Sequence, residues 1–322
     1  MNTAHQMDGT SPTRHARAAA LRRHLAPAAL VCALLSGCSV KDMAINQIGS
    51  ALAESMGTAL ASESDIEFAG QAIPFSLKLT EALLLEQPDN DALLLAAASG
   101  FTQYAYVWIQ QPADFIEIDD FFEAQRLRDR ARAFYLRANR YALRALEVRH
   151  PGFSERFTAD PAQACAALTR DDIETAYWAA ASLGAAISLS KTDPELIARQ
   201  PAVEALIDRA YALAPDWNDG ALEEFLIAYE LVRPAGLGPA HERARRHFER
   251  AVELSGGRSA SAYVTFAESV SVAEQNRTEF LQLLDKALAV PLDAAPEKRL
   301  AIIAAQQRAR WLLERVDELF LE

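Results

Sequence analysis

Three copies of one apolar triplet lie between Val203 and Val290, and they constrain the fold more than any other feature of the chain. In each triplet the residues stand at positions i, i+4 and i+7, which places them on one stripe of an α-helix. Alanine fills the last position, so a neighbouring helix can approach closely, and a proline or glycine soon ends the helix. The triplets and their stop residues are Val203, Ile207, Ala210 and Pro215; Ala244, Phe248, Ala251 and Gly256; and Phe280, Leu284, Ala287 and Pro291.

A second amphipathic helix precedes each triplet, with apolar residues at i, i+3, i+4 and i+7. These helices begin their stripes at Ala180, Leu222 and Tyr263. Paired helices of this kind bury their apolar faces only by stacking on the next pair. We therefore expect an all-α fold, a tetratricopeptide-like solenoid of helical hairpins. Its repeats are degenerate, because the connections before Val203 and Ala244 exceed the standard spacing.

Further elements are predicted outside the repeats. A helix over 65–86 precedes a segment, 92–110, that is apolar on nearly all sides and should be buried centrally. A loop is expected over 112–120 and a long helix over 121–149. The last segment, 296–322, combines a charged face with an apolar face, as a terminal capping helix of a solenoid requires.

The first 37 residues have the pattern of a secretory signal. Four arginines precede the apolar run Leu25–Leu35, which is too short to span a bilayer, and Leu35-Ser36-Gly37-Cys38 follows. This last motif resembles a bacterial lipobox, so Cys38 is the predicted lipidation site; the alternative is a chance cysteine beside an ordinary signal peptide. We expect a signal peptide over 1–37, a lipid-anchored tether or helix over 38–62 and a helical domain over 63–322.

The lipid would anchor the protein on the periplasmic side of a membrane. Ser39 and Val40 differ from the Asp that resembles an inner-membrane retention signal, which favours the outer membrane. Cys165 would then be the one cysteine left without lipid in the mature chain, so no intrachain disulfide is possible. It stands in an apolar helical segment, which favours a buried, unreactive thiol over a reactive one.

Composition and motifs argue against several classes of function. The chain has 322 residues, a formal charge of −12 and 51% apolar residues, which allows a full core and disfavours a surface for nucleic-acid phosphates. The sequence lacks a His-Glu-x-x-His helix, a glycine-rich phosphate loop and a Gly-x-Ser-x-Gly elbow. We therefore predict neither an enzyme nor a cofactor or metal site.

Two charged groups leave alternatives open. Seven arginines between Arg126 and Arg144 suggest phosphate binding, whereas the more frequent arrangement is a face paired with Glu123, Asp129 and Glu147. Asp219, Glu223 and Glu224 form either a carboxylate cluster for a metal or acid–base chemistry, or a charge complement to a helix N-terminus, which we favour.

Aromatic residues are the candidates for a ligand or partner groove, since they supply large contact areas. At helical spacing such residues are more often part of the core. The candidates are Tyr104, Tyr106, Trp108, Tyr177, Trp178, Trp217 and Tyr229.

From Glu63 onward the chain resembles the T-component lipoproteins (TatT) of tripartite ATP-independent periplasmic (TRAP) transport. The segments that carry the resemblance are Gln103–Tyr106, Tyr141–Glu147, Arg149–Phe153, Ala176–Trp178, Glu204–Ala210, Asp219–Leu222, Phe248–Ala251 and Gln307–Leu313. The resemblance implies tetratricopeptide-like helix pairs, a homotrimer, and association with a periplasmic substrate-binding protein that delivers an apolar ligand to a permease. It transfers no catalytic residue. Where the family commonly has His after Gly-Ala-Ile, this chain has Glu223.

The leading hypothesis is therefore a lipid-anchored, non-enzymatic periplasmic scaffold that assists ligand uptake. The alternative is a general protein-interaction lipoprotein of envelope assembly, which would use the same groove for peptide helices or tails. An enzymatic function would require the carboxylate group at 219–224 to coordinate a metal.

Overall fold

The structure, a computed structural model, describes residues 55–233 and 238–321, together with Met1, Gly49 and Ala51. Ser50–Glu322 form one compact unit, and every regular element within its described ranges is a helix, as the all-α prediction requires. The predicted signal peptide, the lipidation site Cys38 and most of the predicted tether lie outside the described residues.

The helices follow in chain order, numbered here from the first described one. They are α1 (55–61), α2 (Ile66–Glu86), α3 (Asp91–Ala105), α4 (Gln111–Ile116), α5 (Phe121–Arg149), α6 (Phe153–Ala159), α7 (Pro161–Cys165), α8 (Ile173–Ser188), α9 (Pro194–Ile197), α10 (Gln200–Leu213), α11 (Ala221–Tyr229), α12 (Ala240–Ser255), α13 (Ala260–Phe266), α14 (Arg277–Ala289), α15 (Arg299–Glu314) and α16 (Val316–Leu319).

Several helices begin or end at capping residues that can be recognised in the sequence. Asp65, Asn90 and Asp120 each accept hydrogen bonds from backbone N–H groups in the first turn of α2, α3 and α5. Gly256 ends α12 in the left-handed conformation, with φ at 59°, and the N–H of Gly257 closes the turn on the carbonyl of Val252. Glycine tolerates this conformation because it has no Cβ.

The predicted stripes form the core. Val203, Ile207 and Ala210 are fully buried where α10 packs on α8, and Phe280, Leu284 and Ala287 are fully buried in the cluster around α13 to α15. In chain order, α3 packs on α5, α5 on α8, α8 on α10, α11 on α12, and α13 on α14 and α15. Most of these contacts join helices that are near one another in the chain, and the tetratricopeptide-like solenoid stays a prediction.

The predicted loop over 112–120 is wrong. A π-turn, Tyr106–Gln110, joins α3 directly to α4, so the helix continues to Ile116. The N–H of Gln111 reaches back to the carbonyl of Tyr106, and Pro112, in the first turn of α4, has no N–H to satisfy. The proline therefore fits a helical position that an ordinary α-helix interior would not offer.

This long apolar helix is central, as predicted. Asp91–Ile116 is the one helix among the described residues that is long and apolar enough to cross a membrane. A core helix meets the same criterion, and α3 packs against α2, α5 and α8. Leu93, Leu94 and Phe101 on α3 are almost fully buried.

The last segment is not one helix. A 3-10 turn at Pro296–Lys298 leads into α15, and the backbone leaves helical geometry at Arg315 before the short α16. The Arg315 side chain pairs with Glu318 at 2.5 Å and lies over the Trp311 ring. Besides packing on α13 and α14, α15 also contacts α2.

Candidate functional site

A cavity of about 630 Å³ lies among α3, α4, α5, α8, α10, α11, α13 and α15. Small residues leave the space open: Ala181, Gly184 and Ala185 on α8, and Ala301 and Ala304 on α15. Because each of these side chains is a methyl group or a hydrogen, it leaves the volume beside its helix unfilled. The cavity wall is mainly apolar, as expected of a site for an apolar molecule.

Four of the seven aromatic candidates line this cavity. Tyr106 comes from the π-turn, Tyr177 and Trp178 from α8, and Tyr229 from the end of α11. Phe225, which the sequence analysis did not select, joins them and lies 5.3 Å from Tyr229 and 6.3 Å from Tyr177, measured between ring centroids. Contact of these side chains with a ligand stays a prediction.

The other three candidates lie elsewhere. Tyr104 and Trp108 stack on each other at 5.8 Å, and Trp108 Nε1 donates to the carbonyl of Ile66 at 3.0 Å, so this pair packs against α2. Trp217 packs on Tyr177 at 5.2 Å without lining the cavity. Residues 104 and 108 are four apart and share a helix face, whereas Tyr106 points to the opposite side.

One part of the cavity wall is polar. Arg308 on α15 is 9% exposed, and it donates to Asp114 at 2.9 Å and to Glu268 at 3.1 Å. Tyr106 lines the same part of the cavity, with 44% of its surface exposed. Gln111 is 1% exposed, and its Nε2 lacks a hydrogen-bond partner among the described residues. The carboxylates of Asp114 and Glu268 balance the positive charge of Arg308.

A second polar group is the carboxyl of Glu224 on α11. Ser259 Oγ donates to Glu224 Oε2 at 2.7 Å, and burial raises the pKa of this carboxyl above its usual value. Trp178 Nε1, on the same cavity wall, has no acceptor among the described residues. An unsatisfied buried donor costs free energy, which a ligand with an acceptor atom would recover.

The carboxylates at 219–224 do not act as one group. Asp219 pairs with Lys298 at 2.9 Å, whereas Glu223 is held by Tyr211 at 3.0 Å and by His247 at 2.5 Å. Glu224 faces the cavity instead. No group of three or more His, Cys, Asp or Glu that could hold a metal was found in the described part of the chain.

Most arginines of α5 have acidic partners, as the pairing interpretation predicts. Arg126 pairs with Glu123 at 2.5 Å, and Arg132 with Asp129 at 3.6 Å. Glu147, however, was predicted to pair with an arginine of this helix, and this part of the prediction is wrong. Its carboxylate accepts hydrogen bonds from the backbone N–H groups of Gly152 and Ser154 and so stabilises the N-terminus of α6.

Three further arginines pair with acidic residues outside α5. Arg128 bridges Asp114 and Glu117, Arg137 pairs with Glu81, and Arg144 with Asp89. Within the described ranges, no ion pair involves Arg130 or Arg140.

Cys165 is buried, with 1% of its surface exposed, and burial raises the pKa of its thiol to about 12. The thiolate is the reactive form, so this cysteine is poorly suited to nucleophilic chemistry near neutral pH.

Sequence reasoning missed four features of the site: Arg308, Gln111, Phe225 and the cavity role of Glu224. One signal was available, because Ala301, Ala304, Ala305 and Arg308 have the i, i+3, i+4, i+7 spacing of a single helix face. The small residues on this face leave space for a cavity beside the helix. The arginine at the end of the face places one positive charge at the end of that cavity.

The described helices surround a mainly apolar cavity. Residues 62–320 match the family described as TRAP transporter T-component. The chain is also similar to an uncharacterized protein of Treponema pallidum (strain Nichols), with 31% identity over 308 residues that cover 90% of this chain and 95% of that protein. The chain belongs to the TRAP transporter T-component family, which confirms the resemblance drawn from its sequence.

Family membership gives the broad role. The protein is a periplasmic component of bacterial TRAP transport, associated with other components of that system. This is a role in transport rather than in catalysis.

Proposed function

We propose that this protein is a lipid-anchored periplasmic scaffold that associates with a TRAP-type substrate-binding protein and holds an apolar ligand in its cavity during uptake. The observation that carries the proposal is the cavity of about 630 Å³. Sites for small molecules measure roughly 300–1,000 Å³ and are lined mainly by apolar and aromatic side chains. Tyr106, Tyr177, Trp178 and Tyr229 supply the aromatic part of such a lining.

The aromatic groups support ligand binding by geometry as well as by composition. Tyr177, Phe225 and Tyr229 form a continuous aromatic surface on α8 and α11, and Trp178 meets Tyr177 edge-on at 5.0 Å. Such rigid rings bury large areas at little cost in conformational entropy. They would present a preformed surface to an acyl chain or ring system.

Filling the cavity tests ligand holding. Ala301 lines the cavity and is exposed, so Ala301→Phe would place a ring in the open volume without overpacking the core. We expect apolar molecules to co-purify with the wild-type protein and to be lost from this variant, which should fold normally; solvent extraction and mass spectrometry measure both. Ala82→Phe, at an exposed position of α2, is the matched control. An unchanged ligand content in Ala301→Phe would contradict the proposal.

Association with a substrate-binding protein is tested by chemical cross-linking in native membranes and mass spectrometry of the captured partner. Capture of a periplasmic substrate-binding protein of the TRAP system supports the proposal. Capture of envelope-assembly proteins alone would favour the alternative, a general interaction lipoprotein. Light scattering of the purified protein tests the homotrimer that the family resemblance implies.

The lipid anchor has its own test. Cys38→Ala removes the proposed acylation site and should release the protein from the membrane pellet into the soluble periplasmic fraction, because no acyl chain would remain. Cys165→Ala, a substitution at a buried thiol, is the control and should stay with the membrane. Retention of Cys38→Ala in the pellet would refute the anchor.

A further inference from the structure

We infer that the cavity selects ligands that carry an ammonium group, which Glu224 and the neighbouring aromatic rings hold together. The inference rests on the proposed ligand-holding function and specifies the chemistry of its ligand. Three observations carry it: a carboxyl group in the cavity wall, the absence of an ion-pair partner for that group among the described residues, and the aromatic surface beside it.

Glu224 lies in the first turn of α11, where its side chain lines the cavity. Its polar contacts are hydroxyl groups: Ser259 Oγ donates to Oε2 at 2.7 Å, and Ser261 lies close on the same wall. Hydroxyl donors stabilise a carboxylate less than a cation does. A positively charged ligand would therefore stabilise the carboxylate of Glu224 more than these hydroxyl groups do.

The nearby cations are already paired. Lys298 donates to Asp219 at 2.9 Å, and Arg308 is shared by Asp114 and Glu268. Among the ion pairs of the described residues, none involves Glu224. Consistent with this, burial raises the pKa of Glu224, although the Ser259 hydroxyl and Lys298 act in the opposite direction.

The aromatic rings add a second attraction for a cation. Tyr177, Trp178, Phe225 and Tyr229 line the same cavity as Glu224, and Phe225 is its neighbour in the chain. The faces of Trp and Tyr attract ammonium groups, and more strongly when water is excluded. A carboxylate ligand would instead meet the carboxyl of Glu224, and a neutral alcohol would gain neither the ion pair nor the cation–π contact.

The experiment compares octylammonium, octan-1-ol and octanoate by isothermal titration calorimetry at pH 7.5. These probes share the octyl chain and differ at the head group. We expect octylammonium to bind at least tenfold more tightly than octan-1-ol, and octanoate to bind most weakly. In Glu224→Gln this preference should disappear, because the amide oxygen still accepts from Ser259 but the charge is gone. Circular dichroism and thermal melting verify that this variant folds.

Glu249→Gln, at an exposed glutamate of α12, is the matched control and should keep the full preference. Equal binding of octylammonium and octan-1-ol, or an unchanged preference in Glu224→Gln, would overturn the ammonium inference and leave the proposed ligand holding intact. Failure of all three probes to bind would overturn both.

Discussion

At the scale of single residues, Asp172 is a buried carboxylate with several hydrogen-bond donors around it. It accepts from the Thr169 N–H at 2.8 Å, the Thr169 hydroxyl at 3.0 Å, His150 Nε2 at 3.0 Å and Arg149 Nη1 at 3.3 Å. Burial acts to raise the pKa of this carboxyl, but the Thr169 and His150 hydrogen bonds outweigh it, so the pKa is lowered from its ordinary value. Asp172 thus fixes the start of α8 and so the position of Tyr177 and Trp178.

Replacing Asp172 should therefore weaken the fold in a pH-dependent way. Because the folded-state pKa is lowered, the carboxylate stabilises the protein above the unfolded pKa, and this contribution is lost as pH falls through the folded pKa. We expect Asp172→Asn to lower the free energy of unfolding at pH 7 by about 1–3 kcal/mol, measured by urea denaturation. The deficit should shrink below about pH 4.

Asp171→Asn is the control for this prediction, since Asp171 is exposed and adjacent in the chain. It should change stability by less than about 0.5 kcal/mol. A deficit of the same size in both variants, or one that does not depend on pH, would contradict the role assigned to Asp172.

The sequence identified part of the cavity lining but not its function. Four of the seven aromatic candidates line the cavity, and their contact with a ligand stays a prediction. Helix spacing alone separates Tyr106 from Tyr104 and Trp108, but it does not say which of the two faces lines a cavity. Glu224 was read as a helix-end charge, and its place in the cavity wall depends on helices that are distant in the chain.

At the scale of elements, the small residue that closes each apolar triplet sets the distance between paired helices. Ala251 is 1% exposed, and its Cα would lie 3.3 Å from a Cβ placed on Gly220. We expect Ala251→Phe to lower the free energy of unfolding by about 1–3 kcal/mol, because the ring has no space between α11 and α12. Thermal and urea denaturation measure this loss.

Glu249→Phe places the same ring on the exposed side of α12 and controls for helix propensity and surface hydrophobicity. Equal stability of the Ala251→Phe variant and the wild-type protein would contradict the assignment of this triplet to a helix contact.

Element boundaries were predictable where a local signal exists. Phe121–Arg149 was predicted to the residue, because Asp120 caps one end and Pro151-Gly152 follows the other. The break at Arg315 has no proline or glycine, so the pattern over 296–322 reads as one helix. The Arg315 guanidinium contacts Trp311 and Glu318, but these residues stand at i−4 and i+3, as they would in an unbroken helix, so the contacts do not explain the break.

At the scale of the folded unit, Arg308 joins residues far apart in the chain. It binds Asp114 on α4 and Glu268 in the π-turn after α13, and it stacks over Trp311 at 4.5 Å. Removing one partner of a buried ionic group leaves uncompensated charge. We expect Arg308→Met to lower the free energy of unfolding by about 3–5 kcal/mol, measured by urea denaturation.

The double variant Arg308→Met with Glu268→Gln should recover part of this loss, since one unpaired carboxylate is removed as well. If the double variant were less stable than Arg308→Met alone, the loss would have to come from packing rather than from charge. The all-α class was predictable from helix periodicity, but this long-range network was not, because no local pattern specifies which helices meet.

The position of α15 in the chain has a consequence for biogenesis. Since α15 supplies Ala301, Ala304 and Arg308 to the cavity wall, this wall is complete only after the ribosome has translated α15. A nascent chain that has emerged only as far as α13 would expose the remaining apolar walls to water. A truncation before residue 299 should therefore abolish the ligand binding that we propose.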